Sequence, residues 1–244
     1  DDSAACGSIR LRAGTPSWDM CVNGRPRRAE KARQSMMQAE TKKRLIVVAV
    51  CIVLTLGGFF GHQQIFTKGI DRLPAKPCAG AVDRSIVADA LPAARTADER
   101  GKITTTSASN QFTFWCYVSA GDSIISGEAE SGFATEGGWR ESYSSKADGD
   151  PVSVSAGEVK VIALDNLASV YIPCTPPRQA EYKEERTHSL VSDVRTIGES
   201  RVQGVALRQA LMDFAYQLTK HAYRVGKCKD ARDFPDELPR IQTD

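Results

Sequence analysis

Residues 45–61 form an uncharged, apolar run of seventeen residues that follows directly on Lys42, Lys43 and Arg44. As a helix this run is about 26 Å long, close to the roughly 30 Å hydrocarbon core of a bilayer. It is apolar on all sides, whereas a helix on the surface of a soluble domain has a polar face. The run therefore predicts a transmembrane helix. With its flanking residues, this membrane anchor covers residues 42–66.

The charges on the two sides of this run predict its orientation. The residues before Leu45 include ten Lys and Arg against five Asp and Glu, whereas those after Phe66 include 22 against 25. Positive residues are retained on the cytoplasmic side of a membrane. We therefore expect a single-pass protein of the cell membrane with a cytoplasmic N-terminus and an extracytoplasmic C-terminal domain. The membrane is the expected partner of residues 45–61, and no nucleic-acid partner is expected.

The segment before the apolar run, residues 1–41, is basic and lacks the apolar period of a helix or strand, so we expect it to be disordered. Met36 and Met37 lie shortly before the run, which makes residues 36–41 an alternative start of the protein. Phe59 and Phe60 occupy the place where a signal peptidase requires small residues. The sequence therefore favours an uncleaved anchor over a cleaved signal peptide.

Four of the seven cysteines follow the apolar run: Cys78, Cys116, Cys174 and Cys228. An even number of cysteines outside the cytoplasm is typical of a disulfide framework, and four cysteines allow three pairings. The neighbouring elements favour Cys78 with Cys116 and Cys174 with Cys228, because each bond then joins a helix to a strand. By loop entropy, either bond would stabilise the domain by about 4 kcal/mol.

The exported part has the order helix, strands, strands, helix, which predicts an α+β domain over residues 78–230. We expect an antiparallel sheet with one short and one long helix packed on one face. A linker, residues 67–77, precedes this domain, and a C-terminal tail, residues 231–244, follows it.

Hydrophobic periodicity and turn residues predict the elements of this domain. The predicted helices are residues 84–91 and 207–225, and Gly226 is expected to end the second helix in a left-handed conformation. The predicted strands are residues 111–120, 123–130, 159–163, 168–173 and 189–196, the last of them an edge strand. Residues 93–110 are predicted to form a polar loop, and residues 132–150 to be irregular or weakly stranded.

Three cysteine-containing segments resemble those of a known group of proteins. They are residues 75–80 (Ala-Lys-Pro-Cys-Ala-Gly), the strand end 170–174 (Val-Tyr-Ile-Pro-Cys), and the Leu- and Ala-rich helix ending in Lys227-Cys228. Together they resemble small exported proteins of streptomycetes and related actinobacteria, over most of residues 78–228. The resemblance implies an extracytoplasmic domain with two disulfides, and it implies no particular activity.

Motifs of known chemistry are missing from the sequence. It contains no G-x-S-x-G, S-x-x-K, G-x-G-x-x-G or C-x-x-C arrangement. We therefore predict no catalytic residue, no cofactor-binding residue, no metal ligand and no cofactor. His221 is expected at the edge of the core and His188 on a charged surface. The carboxylate pairs Glu128 with Glu130 and Asp148 with Asp150 are interpreted as solvated.

Four aromatic residues, Trp115, Tyr117, Trp139 and Tyr143, line a carbohydrate or peptide groove if the sheet leaves their face open. The alternative is that Trp115 and Tyr117 pack under the final helix. Because no catalytic motif is present, we expect a membrane-tethered binding or interaction domain of the bacterial cell envelope, with an envelope protein or polymer as partner. The alternative hypothesis is a carboxylate-dependent hydrolase of the envelope.

Overall fold

The structure is a computed structural model that describes residues 27–66, 68–106, 111–145, 150–177 and 187–242. The chain divides between Leu56 and Gly57 into two compact units.

The first helix, α1 (Arg27–Phe66), contains the apolar run. Its stretch Lys42–Gly61 has a mean hydropathy of 2.3 and is long and apolar enough to cross a membrane. Apolar side chains of this stretch, such as Val53 and Phe60, are exposed. The helix also includes residues 27–41, which the sequence predicts to be disordered. Residues 1–26, which share that prediction, lie outside the described part of the chain.

The second unit contains four helices and seven strands in its described residues. The helices are α2 (Pro77–Gly80), α3 (Arg84–Ala90), α4 (Glu136–Ser144) and α5 (Gly204–Val225). The strands are β1 (Ala97–Thr105), β2 (Phe112–Ala120), β3 (Ser123–Gly132), β4 (Val152–Ala156), β5 (Val159–Ala163), β6 (Leu167–Pro173) and β7 (Ser189–Ile197). A short 3-10 turn, Ile70–Arg72, precedes α2.

All seven strands belong to one antiparallel sheet in the order β1-β2-β3-β7-β6-β5-β4. The predicted α+β class with an antiparallel sheet is confirmed. Strand β7 lies in the middle of the sheet between β3 and β6, so the expectation of an edge strand there is wrong. Its buried, alternating residues Leu190, Ser192 and Val194 fit a strand that is paired on both sides.

Helix α5 packs across one face of the sheet, which we call the inner face, and contacts strands on both sides of β7. Its residues Leu207, Leu211, Phe214, Leu218 and Ala222 repeat at three- and four-residue steps, and all are buried. This periodicity gives the helix one apolar side, which covers the apolar residues of the strands. The inner face and α5 therefore form the main core, which α3 extends at one end.

Helix α4 lies on the opposite, outer face, so helices cover both faces and not one face as expected. Its Trp139 and Tyr143 are buried in a second apolar cluster with Ile162 and Tyr171. Thr135 starts the helix, because its hydroxyl accepts a hydrogen bond from the Gly138 amide at 3.1 Å. The sequence did not indicate this helix, because two adjacent glycines disfavour a helix.

Three further expectations need correction. Residues 93–110 include the strand β1, so only part of that range is a loop. The linker 67–77 contains Ile70 and Leu73, which are buried in the main core. At the end of α5 the left-handed residue is Lys227 (φ 55°), whereas Gly226 stays right-handed (φ −75°).

The structure joins Cys78 to Cys116 and Cys174 to Cys228, the two pairings that the local elements favour. The first bond ties the segment before α3 to β2. The second ties the end of β6 to the residue that follows α5. Each half of the domain thus has one covalent link between the sheet and a helical segment.

The turn around Cys78 has an unusual backbone. Cys78, Ala79 and Gly80 are all left-handed, with φ angles of 60°, 57° and 88°. For residues other than glycine this conformation costs roughly 1 to 2 kcal/mol each. Glu99 of β1 holds the turn, because its carboxylate accepts a hydrogen bond from the Cys78 amide at 2.5 Å. Gly101, two residues further along β1, lies directly beneath the Cys78 backbone.

We expect Gly101→Ala to lower the free energy of unfolding by about 2 to 3 kcal/mol, as overpacking of a tight core does. An added methyl group would come within 2.6 Å of the Cys78 Cα, and this backbone is held by the disulfide and by Glu99. Urea unfolding of the full chain measures the effect. Gly132→Ala is the matched control, because Gly132 is also a strand glycine but nothing lies within 4 Å of a methyl group there. Equal stability of the two variants would contradict this account of the turn.

Candidate functional site

The outer face of the sheet has a covered half and an uncovered half. Helix α4 covers β5 and β6, where Trp139 donates a hydrogen bond from Nε1 to the Ser169 Oγ at 2.9 Å. No described element lies over the outward residues of β2, since Trp115 and Tyr117 remain 44% and 45% exposed. Large aromatic side chains in such positions are typical of binding surfaces.

The alternation of β2 decides which residues reach the uncovered half. Phe112, Phe114, Cys116 and Val118 point inward and are buried in the main core. Successive side chains of a strand point to opposite faces, so Trp115 and Tyr117 point outward. Of the two arrangements left open by the sequence, the structure has the one in which Phe112 and Phe114 pack towards α5. Trp115 and Tyr117 lie on the same face of the sheet as α4, where Trp139 and Tyr143 are buried.

Charged residues border the two aromatic residues on both sides. Strand β1 places Lys102 beside Trp115 and Arg100 beside Tyr117. Strand β3 places Glu128 on the other side of Trp115 and Ser126 on the other side of Tyr117. The outward residues around the two aromatic rings are called the open face: Arg100, Lys102, Trp115, Tyr117, Ser126, Glu128 and Glu130. Its positive charges, Arg100 and Lys102, lie on β1, and its negative charges, Glu128 and Glu130, lie on β3. Asp98, nearer the start of β1, also points outward and adds a negative charge beyond this group.

Tyr143 of α4 and Asp193 of β7 form the boundary between the covered and uncovered halves. The Tyr143 hydroxyl donates to the Asp193 carboxylate, with distances of 2.5 and 2.6 Å to its two oxygens. Burial, and then the charge of Asp193, raise the pKa of Tyr143 far above the ordinary value of a phenol. Tyr143 is therefore a neutral hydrogen-bond donor that orients Asp193 beside the open face.

The carboxylates of the outer face lie on an exposed surface. Glu128 is the register partner of Asp193, and Glu128 and Glu130 both point outward and are exposed. Asp193 is engaged by Tyr143. This arrangement differs from the deep cleft with two opposed carboxylates that a hydrolase of this class requires. Asp150 is exposed as well, and Asp148 lies outside the described residues.

A concave region lies at the C-terminal end of α5, where a cavity of about 600 Å³ is lined by residues of α5, of the segment that follows it and of the range 76–83. His221 in its wall is buried and contacts the Phe114 ring at a centroid distance of 4.9 Å. The Arg224 Nη2 lies 3.2 Å from the His221 Nδ1. Burial, and then the charge of Arg224, lower the pKa of His221. His221 therefore lies at the edge of the core, as expected.

His188 contacts the Phe133 ring in a tilted arrangement, at a centroid distance of 4.8 Å. Within the described ranges no group of three or more His, Cys, Asp and Glu side chains is placed to hold a metal ion.

The sequence indicated the aromatic residues of the open face but not its positive charges. Arg100 and Lys102 lie in β1, a range that the sequence pattern predicts to be a polar loop. The sequence signal of this strand is the alternation of Gly101 and Ile103, which face inward, with the charged residues that face outward. This signal is weak because a charged edge strand resembles a loop in composition.

Comparisons of the chain with protein-family models, with curated proteins and with solved structures find no match. The function is therefore inferred from the chemistry of the open face and from the organisation of the chain.

The lowered pKa of His221 predicts a pH-dependent stability. The folded state disfavours the protonated imidazole, so the stability that neutral His221 provides is fully present above the ordinary pKa of about 6.5. It is lost as the pH falls from that value through the lowered pKa of the folded state. We expect the free energy of unfolding to decrease between about pH 7.5 and pH 5, and His221→Phe to lose this part of the decrease.

Urea unfolding of the full chain at the two pH values measures this decrease in the free energy of unfolding. His188→Phe is the control, because His188 is only partly buried and lies at the surface beside Phe133. A variant His221→Phe with the same pH dependence as the wild type would show that another group is responsible.

Proposed function

We propose that this chain is a membrane-tethered interaction domain of a bacterial cell envelope, with the open face as its binding surface. The stretch Lys42–Gly61 is the tether, and the sheet domain lies outside the cytoplasm. The observation that carries the proposal is the pair Trp115 and Tyr117, which remain exposed on a sheet whose other face packs against α5.

Two independent features support the location. The charges before residue 45 are predominantly positive, which favours a cytoplasmic N-terminus. The domain has two disulfides, and disulfides persist in oxidising compartments outside the cytoplasm. The resemblance of the cysteine segments to exported proteins of streptomycetes and related actinobacteria points in the same direction.

The chemistry of the open face supports binding over catalysis. Exposed aromatic rings provide apolar contact area at low cost in conformational entropy, and the bordering charges provide orientation. The nearby carboxylates of Glu128 and Glu130 are exposed on a flat strand, where they lack the enclosure that catalysis requires. An envelope protein or polymer is the proposed class of partner.

The proposed topology predicts which residues a membrane-impermeant maleimide reaches in intact cells. In a chain with Cys6 and Cys21 changed to Ser, Lys220→Cys should be labelled in intact cells, because residue 220 is exposed on the sheet domain. Ala39→Cys in the same background should be labelled only after lysis. Labelling of residue 39 but not of residue 220 in intact cells would reverse the proposed orientation.

The proposed binding surface predicts the position of cross-links in living cells. A photoreactive amino acid at Ser126, beside Tyr117, should join the full chain to its partner. The double variant Trp115→Ala/Tyr117→Ala should lower the yield by about tenfold or more, since aromatic anchors commonly contribute 2 kcal/mol or more. Gel mobility and mass spectrometry of the adducts measure the yield.

A photoreactive residue at Lys220 is the matched control, because it is exposed on α5 and far from the outer face. If residues 126 and 220 give the same adducts, or if the alanine variant leaves the yield unchanged, the open face is not the binding surface.

A further inference from the structure

We propose that the partner of the open face is a second copy of this chain, bound face to face about a two-fold axis that runs parallel to β2. The inference rests on the proposed role of the open face in binding and identifies the partner. Three features of the described residues support it: the distribution of charge, the position of the aromatic residues and the end at which the chain enters the domain.

The charge of the open face is asymmetric about β2. Lys102 on β1 and Glu128 on β3 are the register neighbours of Trp115 on its two sides. Both are exposed, and neither makes an ion pair within the described part of the chain. A partner for this surface must therefore present negative charge opposite Lys102 and positive charge opposite Glu128.

A second copy has this arrangement when it is rotated by 180° about an axis parallel to β2. The rotation places β1 of each copy over β3 of the other and keeps the residues at the same height along the strands. Lys102 of each copy then faces Glu128 of the other, which gives two equivalent pairs in one isologous interface. An axis perpendicular to the strands would instead place β3 on β3, and the outward charges of β3, Glu128 and Glu130, are both negative and would repel each other.

The aromatic residues lie on this axis. Because β2 of one copy faces β2 of the other, Trp115 meets Trp115 and Tyr117 meets Tyr117. Packed sheets are separated by about 10 Å, which lets opposing aromatic side chains fill the space between them. The rings that are 44% and 45% exposed in one copy become buried at the centre of the interface, where aromatic residues stabilise association most.

The entry point of the chain agrees with the same axis. The Gly69 amide donates to the Ala94 carbonyl at 2.8 Å, so the chain enters the domain beside the beginning of β1. Rotation about an axis parallel to the strands leaves this entry at the same end in both copies. Two tethered copies in one membrane require that arrangement, because both chains must leave the dimer towards the same side.

The size of the face indicates a weak dimer. With about 4.8 Å between strands and 3.3 Å per residue, the outward surface of β1, β2 and β3 measures roughly 15 by 30 Å. Two such surfaces bury about 900 to 1,000 Å² in total, below the roughly 1,200 to 2,000 Å² of stable complexes. Confinement to a membrane raises the effective concentration of the copies, which favours association of weakly binding domains.

A charge-swap experiment tests the inference. Lys102→Glu and Glu128→Lys should each raise the dimer dissociation constant of the purified full chain by about tenfold or more, because two opposite-charge pairs become two like-charge pairs. The double variant Lys102→Glu/Glu128→Lys should restore wild-type dimerisation. Sedimentation velocity in detergent over a range of protein concentrations measures the constant.

Lys220→Glu, with the same change of charge on α5, is the control and should leave the constant unchanged. If the dimer forms through α1 alone, all four variants should have the same dissociation constant as the wild type. That result would overturn the inference. Cross-links from residue 126 to a different molecule, with a monomeric wild-type chain, would overturn it and leave the proposed function intact. A monomer without any cross-link from residue 126 would overturn both.

Discussion

The packing of α5 against the inner face of the sheet is the contact on which the rest of the domain depends. Gly127 of β3 makes this contact close, since a side chain there would come within 2.8 Å of Leu218. Once α5 occupies one face, the two-residue period of each strand determines which side chains remain outside. The outward positions of Trp115, Tyr117 and Glu128 are therefore consequences of the core.

The elements with strong periodicity could be predicted from the sequence. β2 alternates apolar side chains and α5 repeats them at three and four residues, and both have nearly the predicted bounds. β1 and α4 could not be predicted, because their stability comes from neighbours distant in sequence. β1 is held by β2 and by the turn at Cys78, and α4 by the cluster around Tyr171. The same holds for the candidate site. Its aromatic residues could be predicted because they lie on β2, whereas Arg100 and Lys102 could not because they lie on β1.

Polar contacts distinguish the half of the outer face that stabilises the fold from the half that is exposed to a binding partner. On the covered side, the Trp139 indole and the Tyr143 hydroxyl are satisfied by Ser169 and Asp193. Buried aromatic residues with satisfied polar atoms stabilise the fold, and they offer no group to a partner. On the uncovered side, Trp115 and Tyr117 are the aromatic residues of the same face that remain exposed. The division explains why four aromatic residues that look equivalent in the sequence have different roles.

The disulfide between Cys78 and Cys116 also determines how mechanical load passes through the domain. Cys78 follows the entry segment by a few residues, and Cys116 lies between Trp115 and Tyr117 in the chain. A force applied to the entry segment reaches β2 through this covalent bond, without first separating β1 from the sheet. Tension that enters the domain at this segment and leaves it at β2 is thus borne by one bonded path, so the antiparallel hydrogen bonds of β1 and β2 do not have to open one after another.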